Sequence, residues 1–240
     1  MSVTRYSKCR ATNAQCVELC FEEKLQTLFL CKILSGVPAN ILEDVSAQFL
    51  PLRFRKREVI FEEGDPALAF FIVHEGIVKL YKTAINGKQF VFTLANRGDT
   101  LNASALSLGN YFLTAETITE VILLKLDTQE FLSALFPMVS HNIVKVLAQR
   151  LDFEYERLLE SVSENAFRRI IHALWILYHK FGDTIPITRQ CLAEFSGTTV
   201  ETCIRTLSRL KKEQIIIDDT KQRGKLVILS PSRLKEYLII

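Results

Sequence analysis

The segment ITRQCLAEFSGTTVETCIRTLSRLKKE, residues 187–213, holds two short helical patterns on either side of Gly197. Apolar residues at helical spacing predict helices over 188–196 and 199–213, with Leu192, Phe195, Leu207 and Leu210 on their packed sides. Ile204 either joins that packing or faces outward. Thr199 stands where a helix N-cap is expected, and its hydroxyl and the nearby backbone N–H groups suit a phosphate. Two helices joined by a short turn containing glycine read as a helix-turn-helix. Beyond it come an apolar strand at 215–217, a polar turn DDTKQRG and a second strand KLVIL. The order is helix, turn, helix, wing.

The charge of the chain supports a polyanion partner for this region. Residues 163–240 carry 13 Lys and Arg against 8 Asp and Glu, whereas residues 1–162 carry 17 against 19, so the formal net charge of +3 is concentrated in the C-terminal third. On the second predicted helix Glu201 and Arg205 are four residues apart and share a face. An arginine there can make a bidentate contact with guanine while the carboxylate accepts from cytosine N4. The same spacing also describes an ordinary intrahelical ion pair worth about 0.2–0.5 kcal/mol.

Working toward the N-terminus, 164–181 reads as an amphipathic helix ended by Gly182. Before it, Pro137 can open a long helix in which Val144, Leu151 and Leu158 recur at seven-residue spacing with Leu147 and Val162 nearby. That seam is either the contact between two parallel copies of the helix or the face of one helix lying on its own domain. Glu154 interrupts it. From about Arg53 to Leu126, runs such as FFIV, GIVKLY and VILLKL alternate with glycines at 64, 76, 87, 98 and 109. This is the rhythm of a β-roll or barrel, and Asn86-Gly87 supplies the positive φ angles of a tight hairpin.

With 240 residues and 48% hydrophobic content, the chain is long enough for two folded units. It shows neither a signal-peptide core nor an uninterrupted apolar run of roughly 18 residues, so a cytoplasmic protein with no membrane partner is expected. Structural disulfides are not expected of its six cysteines in such a compartment.

ITRQ, then the glycine, then VETCIR in a basic C-terminal region, preceded by a glycine-registered roll and a long helix, resembles the Crp/Fnr family of transcription regulators over nearly the whole chain. The resemblance implies an α+β fold: a cysteine-rich segment at 1–31, a sensory roll of the cyclic-nucleotide-binding type at 32–136, a dimerisation helix at 137–162 and a winged helix-turn-helix at 163–240. It implies a homodimer on a palindromic operator in double-stranded DNA, with RNA polymerase as a further partner if the protein activates. By position, Glu201 and Arg205 match the family's base-reading pair, Thr188, Arg189, Gln190 and Thr199 match positions that approach the DNA backbone, and Val200 and Ile204 occupy further base-facing positions. The dimer seam falls on Val144, Leu147, Leu151 and Leu158.

For the signal, family members that bind cyclic AMP carry a Gly-Glu pair and, about ten residues later, an Arg-Ser or Arg-Thr pair in the roll. The matching region here reads GDTLNASALSLGNYFLTAETITEV, residues 98–121, with no arginine between Arg97 and Arg150. A buried phosphodiester needs a guanidinium fork, which argues against cyclic AMP. Cys9, Cys16, Cys20 and Cys31 crowd the N-terminus and resemble the iron–sulfur ligands of the oxygen-sensing Fnr branch, although that branch uses tighter spacings and takes its fourth ligand from the roll. A redox or gas signal through such a cluster, a thiol switch, or plain packing of small apolar side chains all remain open. So do a haem, for which His74 reads as an exposed turn residue and His141, His172 and His179 lie on helices, and a small metabolite in the roll. Cys191 and Cys203 read as buried. An enzyme built on the barrel, with the basic region serving protein contacts, is the rival class. No nucleophile, metal-ligand or phosphate-loop motif in the roll supports it.

Overall fold

Along the segment VILLKLD the four residues Val121 to Leu124 are apolar and buried in succession, which is what a strand covered on both faces requires. The computed structural model describes residues 14–101, 103–219 and 224–239. Cys9 and part of the wing turn lie outside them. Contacts divide the chain into two units, Met1–Lys82 with Phe92–Asp152, and Thr83–Val91 with Phe153–Ile240.

In the first unit, α1 (Phe21–Leu30), a 3₁₀ turn (Lys32–Leu34) and α2 (Ala39–Ser46) are flanked by strands of a two-sheet roll. The strands are β1 (Gln15–Cys16), β2 (Leu50–Phe54), β3 (Val59–Phe61), β4 (Ala69–Glu75), β5 (Val78–Thr83), β6 (Gln89–Ala95), β7 (Thr100–Leu101), β8 (Thr114–Thr117) and β9 (Val121–Asp127). One sheet has the order β1-β2-β9-β4-β7 and the other β3-β8-β5-β6. In the chain α3 (Ala105–Leu108) comes between β7 and β8, and α4 (Thr128–Ala134) and α5 (Phe136–Ser163) follow β9.

The pleat of β4 and β9 separates two cores. Phe71 and Val73 of β4, with Leu123 of β9, point into the roll beside Phe61, Leu80 and Tyr111. Phe70 and Ile72, with Leu124 and Leu126, point the other way onto Leu28, Phe49, Phe131 and Val139 of the helical layer. Each such side chain contributes about 1.5–3 kcal/mol by leaving water.

Two turns show why glycine stands where it does. At Gly76 φ is +88°, and an added Cβ would lie 2.2 Å from the Glu120 carbonyl oxygen. At the β5–β6 hairpin, Gly87 N–H donates to the Ala84 carbonyl (2.8 Å) and Ala84 N–H to that of Lys88 (2.8 Å). Only Gly87 has positive φ there, so the expected pair of left-handed residues is replaced by a three-residue loop ending in one.

His74 corrects its expectation as well. Strand β4 continues through it to Glu75, and its side chain is buried. Its Nδ1 lies 2.7 Å from Thr27 Oγ1 of α1, whose own proton goes to the Glu23 carbonyl, so the ring donates. Burial first, and Arg97 second, hold its pKa below the ordinary histidine value. Leu30 packs against Gly98, which anchors the other end of α1 on the roll.

The second unit contains α6 (Ala166–Phe181), β10 (Thr184–Ile185), α7 (Arg189–Phe195), α8 (Val200–Lys212), β11 (Ile216–Asp218), β12 (Leu226–Ile228) and α9 (Pro231–Ile239). Asn165 caps α6 by accepting from Arg168 N–H (3.0 Å), and Gly182 ends it with φ of +77°. The three strands form a sheet of order β10-β12-β11. Within this unit the buried Arg157 lies over the rings of Phe90 (4.7 Å) and Phe195 (4.6 Å) and donates to the carbonyls of Val91 and Phe195. No single helix among the described residues is long and apolar enough to cross a membrane.

Candidate nucleic-acid interface

Both helices of the 187–213 segment start on threonine caps. Thr188 Oγ1 accepts from Cys191 N–H (3.1 Å) and Thr199 Oγ1 from Thr202 N–H (3.3 Å), each satisfying an amide that the first helical turn leaves open. Between them Gly197 takes φ of +63°, and Ser196 donates its hydroxyl proton to the Leu192 carbonyl (2.8 Å). Leu192, Phe195, Cys203, Leu207 and Leu210 are buried, which fixes the angle between α7 and α8 by packing.

That packing leaves one face of α8 in solvent, carrying Glu201, Ile204 and Arg205, with Ile204 42% exposed. The choice open for Ile204 therefore resolves outward. Val200 is half-buried, and Thr188, Arg189, Gln190 and Thr199 are exposed beside the same two helix starts. The structure thus brings all eight expected residues to the N-terminal ends and outer face of α7 and α8. Arg205 donates to Thr202 Oγ1 (3.2 Å). Glu201 is held below the usual carboxylate range by its own backbone N–H first, then by the Thr199 hydroxyl and the Arg205 charge. It is an acceptor at neutral pH.

Further residues beside these helices were not expected from the sequence. Asp218, at the end of β11, lies 3.5 Å from Arg189 and 2.5 Å from Lys211. At the far end of α8, Arg209 pairs with Glu213 (3.0 Å) and lies over the ring of Phe167 (4.6 Å), while Tyr237 of α9 donates to Glu213 Oε2. The contacts of Asp218 with Arg189, of Glu213 with Tyr237 and of Arg209 with Phe167 join residues 24 to 42 positions apart, so no local pattern announces them.

The seam of α5 divides. Val144, Leu151 and Leu158 are 65%, 51% and 63% exposed, and Tyr155, Leu159 and Val162 extend the bare strip. Leu147 instead packs against the core of the first unit. Residues Val139 and Ile143 bury the opposite side of the helix, so the heptad residues are not the face by which α5 lies on its own domain.

Of the N-terminal cysteines among the described residues, Cys20 and Cys31 are held apart by α1. Cys20 is the N-cap of α1, its Sγ accepting from Glu23 N–H (3.4 Å) while Glu23 accepts from Cys20 N–H (2.9 Å). Cys31 lies at the other end, buried, its thiol pushed up to about 11 by burial. At 1.5 Å per residue the intervening helix separates the two by roughly 16 Å, far more than one cluster spans. Cys16, on β1 beside Leu52, is disulfide-bonded, contrary to the expectation of no disulfides. A sulfur so bonded is not a ligand until it is reduced. Cys191 and Cys203 are buried, as expected.

Inside the roll, Phe61 stacks on Tyr111 (3.7 Å) and stands beside Phe71 (5.9 Å), and Tyr111 donates to the Ala69 carbonyl (2.7 Å). Ala103 and Leu113 are buried apolar residues in the stretch where a phosphate fork is looked for. No arginine or lysine is buried in this cluster among the described residues.

Comparison with known proteins agrees with this architecture. Residues 51–136 match the model of the cyclic nucleotide-binding domain, and residues 168–237 that of the Crp-like helix-turn-helix domain. The chain is 31% identical over 162 residues to the cyclic AMP receptor protein of Thermus thermophilus, covering 65% of this chain and 74% of that protein. It is 23% identical over 239 residues to electron transport regulator A of Shewanella oneidensis, covering 95% and 93%. Among solved structures, FixK2 from Bradyrhizobium japonicum superposes with a TM-score of 0.69 at 21% identity, over 79% of this chain and 96% of that one.

Proposed function

The chain belongs to the Crp/Fnr family of DNA-binding transcription regulators, and from that premise we propose that it acts as a homodimer which reads a palindromic operator through Glu201 and Arg205. The observation that carries this reading is the solvent-facing side of α8, where a capped helix start, a carboxylate and a guanidinium stand over a fully packed opposite face. Arg205 is suited to guanine O6 and N7, and Glu201 to cytosine N4. Thr188, Arg189, Gln190 and Thr199 would meet the phosphates on either side, with Val200 and Ile204 making apolar contact with base edges. In the family's best-known members Arg or Ser stands at those last two positions, so an altered half-site is expected. The bare strip of Val144, Leu151 and Leu158 supports pairing of two α5 helices, which sets two recognition helices about one DNA turn apart. Where the protein activates, RNA polymerase is its further partner.

The signal enters through the N-terminal half and shifts the population of DNA-competent dimers. Among the described residues the apolar cluster inside the roll holds no arginine or lysine, which speaks against a cyclic nucleotide, whose phosphate would want a charged partner. A four-cysteine iron–sulfur cluster does not fit the positions of Cys20 and Cys31. Thiol oxidation is the redox chemistry that cysteines can carry without a cluster. Selection of bound sites from a random duplex pool tests the central reading. Inverted repeats with half-site centres about 10 base pairs apart are expected, and recovery of single, unpaired half-sites bound by one chain would overturn it.

A further inference from the structure

On the outer face of the second unit, one carboxylate oxygen is shared by two cations from different helices. Asp218 Oδ2, at the last residue of β11, stands 2.5 Å from Lys211 Nζ in the final turn of α8 and 3.5 Å from Arg189 Nη2 at the first residue of α7. Lys211 is the more sheltered of the two cations, with a quarter of its side chain exposed against half for Arg189. The lysine therefore anchors the carboxylate, and the arginine is the partner that solvent, or a phosphate, can take away.

Arg189 is also the guanidinium that the DNA reading places on the phosphate backbone, immediately after the Thr188 cap. A carboxylate within ion-pair reach of a phosphate-binding arginine opposes binding, because it neutralises charge that would otherwise meet a phosphate and release a counterion. We propose that Asp218 is a positioning residue that sets specificity: held by Lys211, it competes with DNA phosphate for Arg189 and so restrains binding that is independent of sequence. Base contacts made by Glu201 and Arg205 do not pass through Asp218, so the restraint falls on the sequence-independent part of the affinity. The proposal rests on the DNA-binding reading of α7 and α8.

The test uses the full-length protein and a fluorescein-labelled duplex of mixed sequence, with anisotropy titrations between roughly 50 and 200 mM salt. Asp218→Asn keeps the shape and removes the charge. It is expected to tighten binding several-fold at low salt and to steepen the plot of log K against log salt by about one unit, the contribution of one added phosphate contact. Asp218→Glu, which keeps the charge, should restore the wild-type slope. In an Arg189→Gln background the effect of Asp218→Asn should vanish. Asp44→Asn, on α2 of the first unit, makes the same change in net charge and should leave the slope unaltered.

An Asp218→Asn slope equal to that of the wild type overturns the proposal, as does an effect that persists without Arg189 or is matched by Asp44→Asn. A wild-type chain with no salt-dependent affinity for duplex overturns the DNA-binding reading, and this proposal with it. Salt-dependent wild-type binding combined with an unchanged Asp218→Asn slope removes this proposal alone.

Discussion

Arg205 and Glu201 are single side chains on one exposed helix face, and the consequence of losing either should be confined to the bases they reach. Arg205→Ala is expected to cost about 1–3 kcal/mol of operator affinity and to relax discrimination at one base position of each half-site while leaving the fold intact. Competition titrations against operator variants check this, and unchanged discrimination would remove Arg205 from the base-reading role. The pair was legible because i and i+4 residues share a helix face whatever the tertiary context. Asp218 was not legible. Its meaning depends on Arg189 and Lys211, 29 and 7 positions away, and in sequence it reads only as the first residue of a polar turn. His74 was misread for a related reason: Glu75-Gly76 suggests a turn, but the turn begins one residue later than the burial ends.

Among the elements, the helix-turn-helix was readable to within a residue or so at each end, since 188–196 and 199–213 became Arg189–Phe195 and Val200–Lys212. Caps, glycine and apolar spacing all agree there. Helix α9 and strand β10 left little trace: the one is nine residues whose partners Phe167 and Arg209 are distant in sequence, and the other has two residues held by pairing with β12.

Helix α1 offers a prediction at this scale. Its dock onto β4 includes a neutral His74 donating to Thr27, with Arg97 nearby disfavouring a charged ring and Glu23 and Glu75 partly offsetting it. Because the folded pKa lies below the unfolded one, the unfolded state takes up the proton first as pH falls. The contribution to stability is complete above the ordinary histidine value near 6.5 and declines as pH drops below it toward the lowered folded value. Amide hydrogen exchange in α1 should accelerate over that acid range, and His74→Gln should flatten the dependence. A pH profile identical to wild type in His74→Gln would assign the effect to other groups.

For the molecule as a whole, the exposed strip on α5 bears on assembly. Leu151→Glu places a carboxylate in a seam that a single chain leaves in water, so monomer stability should change little. Sedimentation should show the shift from dimer to monomer. Loss of the second half-site should weaken binding to an inverted repeat by about 10²–10⁴-fold, the gain that linked sites provide. A variant that remains dimeric at full affinity would place the contact elsewhere. The same strip has a consequence for how much of the regulator a cell must make. Paired chains grow with the square of the concentration of single ones, so a modest change in synthesis becomes a larger change in promoter occupancy. A chain still waiting for its mate displays Leu158, Leu159 and Val162 to proteases and chaperones. For a regulator that binds DNA as a pair, turnover of the lone subunit would be a second control on transcription beside the signal.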